Sequence, residues 1–185
     1  MTKEESEIVT MVNKKTDAWN NQDVNNLQTR QHFMKHTLME TIAGLNEESQ
    51  PHWGKMTAQQ MVEHLIWAFE LSNGKSKIIC NLSEEQEAQR KPFLYNNRPT
   101  PREVPNPELE NGFPPNRFIN LEEARKRLGK EILAFMKQDP ENHLPEYDHP
   151  IFGKLNREEW ERAHYKHTFH HLIQFGLIPD PDQNE

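Results

Sequence analysis

The chain has 185 residues, 22 Lys and Arg against 29 Asp and Glu for a net charge of −7, and only 34% hydrophobic residues. That length suits one domain with a single core, and the acidic balance argues against a nucleic-acid or anionic-membrane surface, since both require clustered Lys and Arg. Cys80 is the only cysteine, so internal disulfides and Cys-rich zinc motifs are excluded, which fits a reducing, cytoplasmic setting.

Residues 1–26 read as a polar extension, with at most a short helix that places Ile8, Val12 and Trp19 on one side. Its start carries no apolar run of the kind a secretory signal needs. The longest apolar run in the chain, Leu65 to Phe69, is far below the ~20 residues of a membrane span. The domain proper is expected over 27–178, with 179–185 as a tail.

Helical spacing recurs four times, while β-branched alternation is nearly missing. The first helix is predicted over 27–45, with Leu27, Gln31, Met34, Leu38, Ile42 and Leu45 on one face. The second opens at Thr57, where Thr57-Ala58-Gln59-Gln60 matches a capping box, continues through Met61, Leu65, Ala68 and Leu71, and ends at Asn73-Gly74. The third begins at Asn120 with Glu123 three residues on, turns Leu121, Ala124, Leu128, Ile132 and Phe135 inward, and closes before Pro140. The fourth repeats the start signal at Asn156 with Glu159 and runs to about Phe175, ahead of Gly176 and Pro179. The economical reading is an all-α fold, a four-helix bundle.

Between the second and third helices, residues 92–115 hold seven prolines (92, 99, 101, 105, 107, 114 and 115). Each removes a backbone donor and constrains its predecessor, so this stretch is predicted to be neither helix nor central strand. A loop of that length is either a lid over a site or a rigid crossover between distant helix ends.

The seven glycines are too scattered for a Rossmann or Walker loop, so chemistry must come from the ten histidines and the carboxylates. At about 100° per residue, Trp160, His164, His167, His171 and Gln174 fall within roughly 40° of one line along the fourth helix. A polar stripe on an inward face costs about 1–3 kcal/mol for each unpaired group, so it needs a compensating partner. His167 and His171, four apart, can bind one cation side by side. His64 lies among Met61, Leu65 and Ala68 on the second helix and should point inward with them. Two histidines from one helix and one from another leave a tetrahedral cation with an open position, the mark of catalytic rather than structural zinc.

His164 is also within ligating reach by spacing, and His170 lies to the side, suited to a place beside the ligands. Candidate general bases are His164, Glu63 and Glu159, and Trp53 and Trp67 are candidate pocket walls. His32, His36, His52, His143 and His149 have no partner pattern and read as structural or surface residues. The competing class is a binding or scaffold bundle whose metal is structural or vestigial.

Several segments carry a resemblance: Trp53-Gly54-Lys55-Met56-Thr57, Gln60-Met61 and His64, His149 to Leu155, Glu159-Trp160, Lys166-His167, and His170-His171-Leu172 with Gln174-Phe175-Gly176. Together, over roughly residues 27–178, they resemble the DinB/YfiT-like superfamily, closest to its branch with W-G-K-M and H-H-L-x-Q-F-G signatures. The resemblance implies an up-down-down-up four-helix bundle, often a homodimer, with zinc or nickel on His64, His167 and His171. Gln174 matches the family's glutamine three residues after the last ligand, whereas Leu172 stands where many relatives have Arg. It also implies a small-molecule substrate. The activities in the superfamily include transfer of low-molecular-weight thiols (bacillithiol, mycothiol, glutathione), maleylpyruvate isomerisation and metal-dependent hydrolysis.

Overall fold

The computed structural model describes residues 23–102, 114–138 and 146–180. The described residues are mostly helical, with one small two-stranded sheet. Helix α1 is continuous but built in three pieces: Leu27–His32, a π-helical turn Phe33–Thr37, and Leu38–Ile42. The π turn, closed by the Leu38 N–H on the Phe33 carbonyl, adds a residue to one turn. It lets residues spaced by four stay aligned, so Arg30, Met34, Leu38 and Ile42 are buried. Leu27 and Gln31, predicted on that face, are not: Leu27 is exposed and Gln31 only half-buried.

Helix α2, Ala58–Ser72, starts at the predicted capping box. The Gln60 N–H donates to Thr57 Oγ1 at 3.2 Å, and the Thr57 N–H donates to Gln60 Oε1 at 2.9 Å. Helix α3, Glu84–Arg90, was not expected, although Ser83-Glu84-Glu85-Gln86 forms the same reciprocal cap. It runs into a 3-10 turn, Lys91–Tyr95, which corrects the expectation that no helical turn falls within 92–115. Pro92 is tolerated because it occupies the first turn, where its missing N–H has no partner to lose. Helix α4, Leu121–Met136, begins at Asn120, whose Oδ1 accepts the Glu123 N–H at 2.9 Å. Pro140 and His143 lie outside the described residues, as do 103–113 of the Pro-rich segment.

Strands β1, Tyr147–His149, and β2, Gly153–Leu155, form an antiparallel hairpin in which Asp148 faces Lys154. Helix α5, Arg157–Gln174, follows the third predicted start signal, a reciprocal cap formed by Asn156 and Glu159. One apolar core collects side chains from α1, α2, α4 and α5, including Leu38, Leu65, Phe69, Leu128, Phe135 and Leu172. The α2–α4 contact is the most extensive between helices, and α5 lies against both α2 and α1.

Charged groups fix how α1 meets α5. Arg30, 1% exposed, donates through Nε to Glu161 Oε1 at 2.8 Å and through Nη1 to the Val24 carbonyl at 2.6 Å. Arg157 takes the other Glu161 oxygen at 3.1 Å, and Arg162 reaches both Val24 O and Asn25 Oδ1. Val24, placed by sequence in the polar extension, is therefore buried with the domain. No helix among the described residues is long and apolar enough to cross a membrane.

Candidate metal centre

The cap at Asn156 sets the start of α5, and with it the register that puts His167 and His171 on successive turns of one face. The α2 cap does the same for His64. Their ring nitrogens meet: His64 Nε2 lies 2.8 Å from His167 Nε2, and His171 Nε2 lies 2.9 Å from the same atom. All three donor atoms fall within 4.8 Å of one another. His171 is buried, while His64 and His167 keep part of their surface open. Trp67, one turn on from His64, stacks against its ring at 5.9 Å between centroids.

A second contact decides the protonation of His171. Its Nδ1 lies 2.8 Å from Gln174 Oε1. The other end of that amide donates from Nε2 to the Trp53 carbonyl at 2.9 Å, which fixes the oxygen toward the imidazole. His171 therefore carries its proton on Nδ1 and turns a bare Nε2 lone pair to the cluster. Gly54, at φ +81°, makes the approach possible, because a Cβ there would stand 2.7 Å from Gln174 Nε2.

Burial also keeps the cluster uncharged. Desolvation, with the nearby His170 as the lesser cause, lowers His64 to about 4. His167 and His171 are held well below the ordinary imidazole value by desolvation first and by neighbouring imidazoles second.

Three neutral imidazoles in this arrangement are poorly served by protons alone. With the His171 Nε2 bare, His167 Nε2 must donate to it, and it then has no lone pair to offer His64. Three lone pairs converging on a shared cation remove the conflict, and neutral nitrogen donors suit zinc and nickel. The donor set fits a divalent ion.

The remaining candidates are placed differently. His170 packs edge-on against His171 at 5.1 Å and against Trp53 at 5.7 Å, beside the cluster rather than in it. His164 turns away into the core, stacked on Phe69 at 3.8 Å and flanked by Phe135 and Trp160. Its Nε2 meets Ser72 Oγ at 2.7 Å, and that hydroxyl donates to the Phe69 carbonyl. Burial, then the fields of His149 and Arg157, hold its pKa well below the usual value. Glu63 is spent on backbone: its oxygens accept the Arg117 and Phe118 N–H groups at 2.7 and 3.2 Å, together with the Gln59 amide. Glu159 serves the α5 cap and faces Lys91 Nζ at 3.5 Å. None of these three carboxylate or imidazole groups is in the three-histidine group.

A family model described as "Protein of unknown function (DUF1569)" matches residues 32–176, well over half of the chain. The chain belongs to the DUF1569 family. The matched span contains His64, His167, His171, Gln174 and the Trp53-Gly54 pair, so the whole hydrogen-bonded centre is family territory. No curated protein and no solved structure matches the chain.

Sequence reasoning named Gln174 and His170 beside the ligands and missed what in turn fixes Gln174. The Trp53 carbonyl and the positive φ of Gly54 act only through the folded approach of residues 53–54 to Gln174. Their one legible signal is the Trp-Gly pair.

Proposed function

We propose that this protein is a metal-dependent enzyme of the DinB/YfiT-like type, acting on a small-molecule substrate. The observation that carries the reading is the convergence of three ring nitrogens, with no further His, Cys, Asp or Glu joining the group among the described residues. A three-ligand set leaves a coordination position for water or substrate, which favours catalysis over a closed structural site. In the same reading α1, α2, α4 and α5 are the four helices of an up-down-down-up bundle. The long connection from Asn73 to Asn120, joining two helices that pack together, supports that connectivity, because like-directed neighbours need a crossover.

His64, His167 and His171 would hold zinc or nickel. Such an ion supplies Lewis acidity, lowering the pKa of a coordinated water or thiol toward neutrality for hydrolysis or thiol transfer. The protein's own part is to keep the imidazoles neutral by burial, to fix the His171 tautomer through Gln174, and to wall the His64 side with Trp67. Glu63 holds residues 117–118 against α2, and His164 anchors to Ser72.

Metal analysis of the purified protein tests the reading. About one equivalent of zinc or nickel is expected, falling away in His167→Ala together with any activity in a thiol-transfer and hydrolase panel. Less than about 0.2 equivalents of any first-row divalent ion, after incubation with each, overturns it. Full metal loading with no difference between wild type and variant in the panel favours a structural metal in a scaffold.

A further inference from the structure

Helix α1 carries a second pair of histidines. His32 ends its first α-helical piece, and His36 lies four residues on, within the π-helical turn. The sequence reads both as structural or surface residues without a partner. In the fold both are exposed, and their rings stand 5.1 Å apart between centroids. That is also the ring spacing of His64 and His171, whose donor nitrogens lie within 4.8 Å of each other. His167 and His171, likewise four apart on one helix, show how closely such a pair can converge. Their Nε2 atoms are 2.9 Å apart with the ring centroids at 4.7 Å. Two nitrogens held at about 2.0–2.1 Å from one ion, in neighbouring coordination positions, lie roughly 3 Å from each other. Exposed rings on successive turns reach that separation by rotation about their own side-chain bonds.

Both rings are available for such a role. Neither has a hydrogen-bond partner among the described residues, whereas the rings of His149, His164 and His171 each have one. The charged residues on the stretch from Gln31 to Glu40, apart from these histidines, are Lys35 and Glu40, both exposed and opposite in sign. No net charge on that stretch opposes a cation.

The backbone beneath the pair is held from inside. Phe33 and Met34 are buried, and Phe33 stacks on Phe169 of α5 at 4.5 Å and meets Tyr165 edge-on at 5.2 Å. Ion binding therefore orders two side chains and no segment of chain, which keeps its entropic cost small. Imidazole donors follow the general order in which copper(II) binds ahead of nickel(II) and zinc(II). The tetragonal geometry of copper(II) and nickel(II) gives two adjacent positions to the helix and leaves the others to water.

We propose that His32 and His36 form a second, surface metal site, which takes copper(II) or nickel(II) and clamps the π-helical turn of α1. An ion held by both rings stabilises the folded chain by mass action, because the unfolded chain does not hold the pair in place. The proposal does not rest on the enzymatic reading.

The test is calorimetric titration of the full-length protein with nickel(II) and, separately, copper(II), after one equivalent of zinc has been supplied to the three-histidine centre. A further saturable equivalent is expected. His32→Gln and His36→Gln should each weaken it about tenfold or more, and the double variant should abolish it. His52→Gln, which removes a single exposed histidine, should leave it intact. Exposed substitutions of this kind leave folding nearly unchanged. The variants should therefore melt with wild type before the second ion is added, and nickel should raise the melting temperature of wild type above that of the double variant. No further equivalent at ion concentrations up to about 1 mM overturns the assignment. So does one that the double variant retains, or one that His52→Gln weakens as much as His36→Gln does. A further equivalent lost in His167→Ala but kept in the double variant places the ion at the three-histidine centre and overturns it too. Failure of the three-histidine centre to take zinc, with the response to His32→Gln and His36→Gln as expected, would sink the enzymatic reading and leave this site standing.

Discussion

Gln174 Oε1 accepts the Nδ1 proton of His171 across 2.8 Å, and so determines which nitrogen of that imidazole faces the other two histidines. Polar groups behind a metal ligand commonly carry a factor of ten to one hundred in affinity. Gln174→Leu should therefore weaken zinc or nickel binding about ten- to one-hundredfold, read by competition against a chromophoric chelator. Unchanged affinity would show that His171 is oriented by packing alone.

Gly54 acts one step further out. At φ +81° an alanine is strained by roughly 1–2 kcal/mol, and its Cβ would press on Gln174 Nε2. Gly54→Ala should lower metal affinity in the same direction as Gln174→Leu. The double variant should show less than the sum of the two effects, because both act on one hydrogen bond. Full additivity in the chelator titration would separate the two.

The α1–α5 junction depends on Glu161. Its removal takes from Arg30, enclosed at 1% exposure, its close carboxylate partner, leaving only Glu158 at 3.7 Å, and takes from Arg157 the carboxylate it holds at 3.1 Å. Breaking one side of a buried pair typically costs about 3–5 kcal/mol, so Glu161→Ala should lower the urea midpoint by that equivalent. Glu161→Gln, which keeps an acceptor oxygen, should lose less. Equal losses would assign the effect to side-chain volume rather than to charge.

Stability of the metal-free protein should fall on acidification. His164 is held well below its ordinary value and His149 down to about 3, desolvation leading in both. Below pH 6.5 the unfolded chain binds protons there that the folded chain refuses, so stability is full above 6.5. It declines by up to about 1.4 kcal/mol per pH unit for each such histidine as pH drops toward the depressed values. Replacing His164 by Phe should flatten this slope between pH 6.5 and 5. A slope identical to wild type would place the titration elsewhere.

Local signals were the legible part of the fold. Thr57 with Gln60, Asn120 with Glu123, and Asn156 with Glu159 mark three helix starts, because a cap needs only residues three apart in sequence. The Ser83–Gln86 cap carries the same signal and would have disclosed α3. The π turn at Phe33–Thr37 had no such mark, since it is set by packing, and it turned Arg30 inward where Leu27 was expected.

For the centre, spacing on one helix was enough to pair His167 with His171, and the apolar neighbours of His64 were enough to turn it inward. Gln174 and His170 were legible beside them as well, but which neighbouring groups stay out of the cluster was a tertiary matter. His164 shares the stripe yet bonds Ser72, and Glu63 sits one residue from a ligand yet holds the backbone of 117–118. The sequence alone determined the inward faces of α2 and α4, three of the helix caps and the three donors, since each depends on neighbours within a turn or two. The tertiary structure decided the tautomer of His171, through a glutamine fixed by a carbonyl 121 positions away. It also decided the cavity beside α5, because residues 96–102 meet that helix only once the chain has folded back on itself.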